Sequence, residues 1–312
     1  MNILVTGAAG YIGSAITEEL INHGHKVVAL DSLQAGHRQA VVPEANFIQA
    51  DLADRGVLDK ILDSYPIEAV VHLAAHSLVA ESMAHPTKYF QNNVVNSLNL
   101  VDAMLAHGVK KLVFSSTAAI YGEPASIPIL EGDPERPTNV YGESKLILEK
   151  MLRWYSQVHG LRYISLRYFN AAGASFRFGE DHNPETHLIP NILKVALGQQ
   201  ENVPVFGLDY DTPDGSCIRD YIHVVDLAQA HLLSLVALDQ GRGGIYNLGN
   251  GNGYSVLEVV AAAREVTGTP IPTTPQPRRP GDPPSLVANS KRAQAELGWQ
   301  PCYTDLRKIV AS

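Results

Sequence analysis

Gly7-Ala8-Ala9-Gly10-Tyr11-Ile12-Gly13 follows the apolar run Ile3-Leu4-Val5 and opens a segment of helical spacing, Tyr11 to Asn22, with Ile12, Ile16, Leu20 and Ile21 on one side. A glycine loop between a strand and a helix lets backbone N–H groups approach a pyrophosphate at the positive helix N-terminus. Gly7, Gly10, Tyr11 and Ile12 are the candidate contacts, and Gly13 permits close helix–strand packing. A second strand, Val27 to Leu30, runs into Asp31. A carboxylate about twenty residues beyond such a loop is placed to hold an adenosine ribose. It repels a 2′-phosphate, so the loop reads as an NAD site rather than an NADP site.

Working outward, the same rhythm repeats. Strands are expected at Asn46 to Gln49, Ala69 to Leu73, Leu112 to Ser115 and Tyr163 to Leu166. Helices are expected around Val57–Leu62, along Val94, Leu98, Val101 and Leu105, and from Tyr141 to Val158. Strands alternating with amphipathic helices predict an α/β fold, a Rossmann-type doubly wound parallel sheet covered on both faces. Asp51-Leu52 and Leu73-Ala74-Ala75 then lie at strand C-terminal ends, where ligands bind in open sheets. The plain alternatives are helix capping for Asp51 and small-residue packing for the alanines.

Past Tyr168 the rhythm breaks. Residues Ala172 to Thr186 read as a long surface loop, and Leu208 to Gly215 as another. Helices follow at Ile189 to Leu197, Val224 to Leu238 and Val256 to Val266. Pro270 to Pro284 holds seven prolines and is expected to be irregular. Ser290 is the expected N-cap of a helix reaching Leu297. Residues 1–168 are therefore expected to form the dinucleotide-binding domain and 169–312 a smaller α/β substrate lobe, with parts of 218–248 packing back on the first.

Composition narrows the function. A net charge of −8 argues against nucleic acid as the main ligand. No apolar run approaches bilayer length, and Asn2 to Thr6 already reads as a strand, so neither a membrane span nor a leader is expected. The two cysteines, Cys217 and Cys302, have no metal-type spacing and read as unlinked thiols of a cytoplasmic protein. No metal centre is expected either. His72 and His76 flank a strand end rather than share a helix face, and His182 and His187 read as solvated loop residues.

Tyr141 and Lys145 are four residues apart on one helix face. A nearby ammonium favours the phenolate, making Tyr141 a candidate proton acceptor for a sugar hydroxyl. Thr117, closing the run Phe114-Ser115-Ser116-Thr117 at a strand end, has a hydroxyl able to bridge substrate and phenol.

The runs G-A-A-G-Y-I-G (7–13), H-L-A-A (72–75), F-S-S-T-A-A-I-Y-G (114–122), Y-G-E-S-K (141–145), R-Y-F-N (167–170), R-D-Y-I-H-V (219–224), Y-N-L-G-N-G (246–251) and R-R-P-G-D (278–282) resemble, in order and spacing, the UDP-glucose 4-epimerases. These are extended short-chain dehydrogenases/reductases, and the resemblance spans nearly the whole chain. It implies a catalytic set of Thr117, Tyr141 and Lys145. It implies NAD contacts at Gly7, Gly10, Tyr11, Ile12, Gly13, Asp31, Asp51, Leu52, Leu73, Ala74, Ala75, Asn92, Ser115, Tyr141, Lys145 and Tyr168. It places a UDP-sugar on Thr117, Asn170, Leu188, Phe206, Arg219, Arg279, Asp282 and Leu286. The implied reaction inverts C4 of a UDP-hexose through a 4-keto sugar, in a homodimer paired through the helices near Asn93–Leu105 and Leu146–Val158.

Two positions depart from the family pattern. Leu286 stands where some members carry a large tyrosine, which leaves room for N-acetyl sugars. Ser77 stands where some use a lysine against the cofactor. The closing segment Leu306 to Val310 nearly reaches Ser312, where relatives often run on, so a trimmed end is expected. Rival readings are a 4-epimerase of UDP-pentoses or UDP-uronic acids, a 4,6-dehydratase and a non-catalytic NAD sensor. The dehydratase is disfavoured because Thr117-Ala118-Ala119 offers no acid to protonate a leaving hydroxyl.

Overall fold

The computed structural model describes residues 1–279 and 282–312. Pro280 and Gly281 of the R-R-P-G-D run lie outside the described residues. The first half supplies strands β1 (Asn2–Thr6), β2 (Lys26–Asp31), β3 (Asn46–Gln49), β4 (Ala69–His72), β5 (Lys111–Thr117) and β6 (Arg162–Tyr168). Between them lie helices α1 (Tyr11–Asn22), α2 (Arg55–Ser64), α3 (Val79–Ala84), α4 (Pro86–Tyr89), α5 (Asn96–Ala106) and α6 (Val140–His159). The second half adds β7 (Asn170–Ala172), α7 (Leu188–Ala196), β8 (Val203–Phe206), β9 (Ile218–His223), α8 (Val224–Asp239), β10 (Gly244–Leu248), β11 (Gly253–Ser255), α9 (Val256–Thr267), β12 (Thr273–Gln276), β13 (Ser285–Leu286), α10 (Lys291–Leu297) and α11 (Leu306–Ala311).

Seven strands form one parallel sheet in the order β10-β6-β5-β4-β1-β2-β3, the doubly wound arrangement that the alternation predicts. Its strands are apolar almost throughout because both faces are covered. Ile3, Leu4 and Val5 are fully buried, with Ile3 and Val5 packed on one side of the sheet and Leu4 on the other. Helices α1 and α8 cover the first side, and α2, α5 and α6 the second. Chain order reverses between β1 and β4, and the crevice at such a reversal is where this architecture binds its ligands.

The chain after β6 does not simply build a second lobe. Helix α8 packs on α1, and β10 extends the main sheet beside β6. What remains forms two small sheets over a separate core of Ile189, Ile192, Val259, Val260 and Ile309: β9 flanked by β7, β11 and β13, and the ribbon β8–β12. No described helix is long and apolar enough to cross a membrane.

One expectation is corrected and two are refined. The proline-rich stretch is partly regular, since Thr273–Gln276 pairs in parallel with Val203–Phe206. Each strand of a two-stranded ribbon has an open edge, and a proline whose missing N–H faces that edge removes no ladder bond. Ser290 does stand at the N-cap of α10, which ends at Leu297 as expected, but it caps through its carbonyl alone; its hydroxyl donates to Gly249 O at 2.7 Å and accepts from Gly249 N at 3.0 Å. The helix expected along Val94–Leu105 begins as a π-helical turn, Phe90–Val95, and only then becomes α-helical.

Candidate functional site

Every site residue named from the sequence lines one cleft of about 1420 Å³ at the C-terminal edge of the sheet. Its floor is the glycine loop. Gly7 has φ +74, and a Cβ there would lie 2.6 Å from Ala74 N. At Gly13 a Cβ would lie 2.0 Å from Gly7 O, so the helix and loop touch backbone to backbone. Gly10 differs, because a Cβ there would meet only Gly7 O at 3.5 Å, an ordinary contact. Its bareness serves the cleft rather than the loop. Gly10 is also the N-cap of α1 with no side-chain cap, and the amides of Tyr11 and Ile12 find no acceptor among the described residues. Bare backbone and free amides at a helix N-terminus suit a pyrophosphate.

Asp31, at the end of β2, accepts from Ala9 N at 2.9 Å and Leu33 N at 2.8 Å. It therefore pins the loop while facing the cleft. Asp51 does not cap α2; Asp54 does, accepting from Val57 N at 3.2 Å. Asp51 instead accepts from Ala53 N and Gln34 Nε2 at the cleft rim. Leu52, Leu73, Ala74 and Ala75 form an apolar wall, and Ser77 is exposed at its edge. The π turn brings Asn92 to the cleft, where its amide donates to Asn93 Oδ1 at 3.0 Å. These features fit a dinucleotide.

Helix α6 carries Tyr141 and Lys145 on its cleft side. Its N-cap, Asn139, accepts from Gly142 N at 2.8 Å and fixes the first turn. The ammonium makes no direct hydrogen bond to the Tyr141 phenol among the described residues. Lys145 reaches across β5, donates to Ser115 O at 2.8 Å and lies 4.9 Å from the Phe114 ring centre. Burial pushes it down to about 7, against the opposing pull of Glu149. Tyr141 is raised above the ordinary tyrosine value by burial, and the neighbouring Thr117 hydroxyl offsets part of that rise. The chain's own groups thus leave the phenol neutral. Tyr168, raised by burial, bonds His231 Nε2 at 2.5 Å.

Across the cleft, β9 alternates its side chains. Arg219 faces the cleft and pairs with Asp282, while its NH1 donates to Ile218 O at 2.7 Å. Its chain neighbour Asp220 takes no part in that pair. Asp220 accepts from the amides of Asn250, Gly251 and Ala288, and burial raises it to about 6. Arg279 stacks over Phe206 at 4.0 Å. Asn170 donates to Asp220 O at 3.0 Å, Leu188 opens α7, and Leu286 pairs in register with Arg219.

Two groups of residues escape sequence reading. Asn93, 2% exposed, binds His76 N, His76 O and Ser144 Oγ, and so clamps the loop after β4 to α6. Only its place in a polar run hints at this. The long surface loop after β7 forms a cleft wall, with Tyr11 donating to Gly173 O at 2.5 Å, and the histidines read as solvated belong to it. His182 and His187 stand in that wall, each paired with a glutamate. His72 is fully enclosed, bonded to Thr6 and Ser97 at 2.7 Å each, and lowered by burial to about 3.

Fold and cleft together define a dinucleotide-binding α/β protein of the kind that carries a Tyr–Lys pair beside its cofactor crevice. Comparisons with known proteins agree. Residues 3–249 match the NAD-dependent epimerase/dehydratase family. The chain is 55% identical over 313 aligned residues to a UDP-glucose 4-epimerase of Halalkalibacterium halodurans, covering 99% of this chain and 93% of that one. A crystal structure of a UDP-glucose 4-epimerase superposes with a TM-score of 0.97 at 52% identity, covering 100% of this chain and 95% of the other. The UDP-glucose 4-epimerase of Brucella ovis in complex with NAD superposes at 0.96, with 44% identity over 99% and 96% of the two chains. This chain therefore belongs to the NAD-dependent epimerase/dehydratase family, and within it to the UDP-glucose 4-epimerases.

Proposed function

We infer that the protein inverts C4 of a UDP-hexose, interconverting UDP-glucose and UDP-galactose, with NAD as its resident cofactor. One observation carries the reading: Thr117, Tyr141 and Lys145 line the same cleft as the bare glycine loop. When bound, NAD supplies a reversible two-electron oxidation of C4 and a positive charge that favours the phenolate. The residues do the rest. Tyr141 takes the O4 proton and later returns it, Thr117 bridges sugar oxygen and phenol, and Lys145 holds ribose hydroxyls beside Ser115 and Tyr168. Gly7, Gly10, Tyr11, Ile12 and Gly13 hold the pyrophosphate, Asp31 the adenosine ribose, and Asp51, Leu52, Leu73, Ala74, Ala75 and Asn92 the adenine side and the wall.

Arg219 and Arg279 grip the nucleotide diphosphate, Asp282 its ribose, and Phe206, Asn170 and Leu188 its flanks. Such a grip on UDP leaves the 4-keto sugar free to turn its other face to the same acid–base group. One phenol then serves both faces. Leu286, small at the sugar end, admits the N-acetyl forms as well.

The test is turnover of UDP-galactose by purified protein with no NAD added. UDP-glucose as product supports the reading, and no turnover of any UDP-hexose by NAD-loaded protein overturns it. For the N-acetyl forms, strong turnover of UDP-galactose with none of UDP-N-acetylgalactosamine refutes the role given to Leu286.

We also propose that the chain works as a cytoplasmic homodimer. Trp154 and Val158, both 67% exposed, lie one turn apart on α6, and Val95, 41% exposed, ends the π-helical turn that packs against α6. Apolar groups so exposed on neighbouring helices suit a second copy. Light scattering reads the outcome: a dimer in the wild type, a monomer in Trp154→Glu.

A further inference from the structure

The wall between Gly173 and α7 holds a group of side chains that the epimerisation does not use. Glu180, His182 and His187 bring one ligand-capable atom each to within 4.8 Å of one another. They come from eight consecutive residues, so closing the group constrains little chain. The His182 and His187 rings sit 5.1 Å apart between centres. His182 Nδ1 bonds Glu180, and His187 Nδ1 lies 2.8 Å from Glu185 Oε1, which also accepts from His187 N at 2.7 Å.

Charge makes the arrangement unusual. The Glu180 side chain is 11% exposed and that of Glu185 only 3%, yet neither pairs with a lysine or arginine among the described residues. These two enclosed carboxylates thus have imidazoles as their only side-chain partners able to carry a positive charge. They also face Tyr11, whose phenol they push further up after burial has raised it. By contrast, the enclosed Glu149 and Glu18 each take an arginine, Arg167 and Arg177.

We propose that Glu180, His182 and His187 bind one divalent cation of the zinc type, with Glu185 orienting His187 through its Nδ1. Two imidazoles and a carboxylate suit Zn²⁺ and not Mg²⁺ or Ca²⁺, which take oxygen ligands. A carboxylate on the far ring nitrogen of a ligating histidine is the usual outer support of such a site. Three protein ligands leave a coordination position open toward the cleft. The cation would fasten the 173–187 wall close to Tyr11, whose hydroxyl already holds Gly173 O.

The experiment uses full-length protein purified with its cofactor and dialysed against a chelator. Zn²⁺ is then titrated by calorimetry, and Co²⁺ by visible absorption as a coordination probe. The expected result is one Zn²⁺ per chain and the intense d–d bands of low-coordinate Co²⁺. His182→Ala with His187→Ala should abolish both, and Glu185→Gln should weaken Zn²⁺ about 10–100-fold. His182→Asn with His187→Asn gives the same reading should the alanine pair unfold. His23→Ala, on an exposed helix end, should leave binding unchanged. Absence of stoichiometric binding in the wild type overturns the proposal. So does binding of equal affinity in a folded double variant, which would put the metal elsewhere and leave Glu180–His182 as an ordinary ion pair.

Discussion

Gly10 and Gly13 belong to one loop but answer to different constraints, and alanine at each position separates them. At Gly13 the new methyl would sit 2.0 Å from Gly7 O and 2.9 Å from Gly7 C, both backbone atoms that cannot swing aside. Relieving that overlap means moving α1 off β1, with an overpacking cost of about 1–3 kcal/mol. The gain in helix propensity, up to about 1 kcal/mol, offsets only part of it. Gly13→Ala should therefore lose about 1–2 kcal/mol in urea unfolding of NAD-free protein. At Gly10, φ is −84 and the nearest chain atom is 3.5 Å away, so Gly10→Ala should unfold within about 1 kcal/mol of wild type. Its methyl projects into the space a pyrophosphate needs. NAD affinity, read by calorimetry, should fall at least tenfold, about 1.4 kcal/mol. A Gly10→Ala protein that binds NAD as tightly as wild type would refute the loop as the phosphate cradle. A Gly13→Ala protein of unchanged stability would refute the packing argument.

Other outcomes follow from buried charge and cleft shape. Lys145 falls to about 7 in the fold from an ordinary 10.5, so between those values the unfolded chain binds more protons and stability rises with pH. Wild type should thus gain on Lys145→Met between pH 7 and 10, by about 3–4 kcal/mol, and parallel stability curves would sink the idea. Glu149, with no exposed side-chain surface, holds the equally enclosed Arg167 and accepts from Ser116 at 2.6 Å. Glu149→Gln should cost about 1–3 kcal/mol in urea unfolding, because the buried guanidinium then keeps only Glu135 as a charged partner, and an unchanged stability would refute the role of the pair. Leu286→Tyr should cut kcat/KM for UDP-N-acetylgalactosamine at least tenfold relative to UDP-galactose; an unchanged ratio removes Leu286 from the sugar pocket.

What the sequence reveals here is what depends on local spacing. The glycine loop, Asp31 and the Tyr141–Lys145 step each lie within one strand–helix unit, and α1 begins and ends where its apolar period does. The parallel sheet follows from strands such as Ile3–Val5 that are apolar on both faces. Long-range choices are less visible. Nothing near Thr273 announces that it will pair with Val203, because the prolines that argue against a strand are harmless on a ribbon with open edges. The Lys145 ammonium turns to Ser115 O, a partner set by how α6 crosses β5 and not by helical spacing. Likewise, Asp220 is separated from its neighbour Arg219 by strand alternation, and the loop amides that engage it arrive from residues 250, 251 and 288. Asn93 clamps the site through backbone atoms of a loop seventeen residues away, a contact without a sequence pattern.

The central claim concerns the Tyr141 phenol as the proton carrier for both faces of the sugar. Its most direct measurement is kcat for UDP-galactose in Tyr141→Phe, with NAD content determined on the same sample. A fall of about 10²–10⁴-fold with NAD still bound is the predicted result. Near-normal turnover at full NAD occupancy would contradict it.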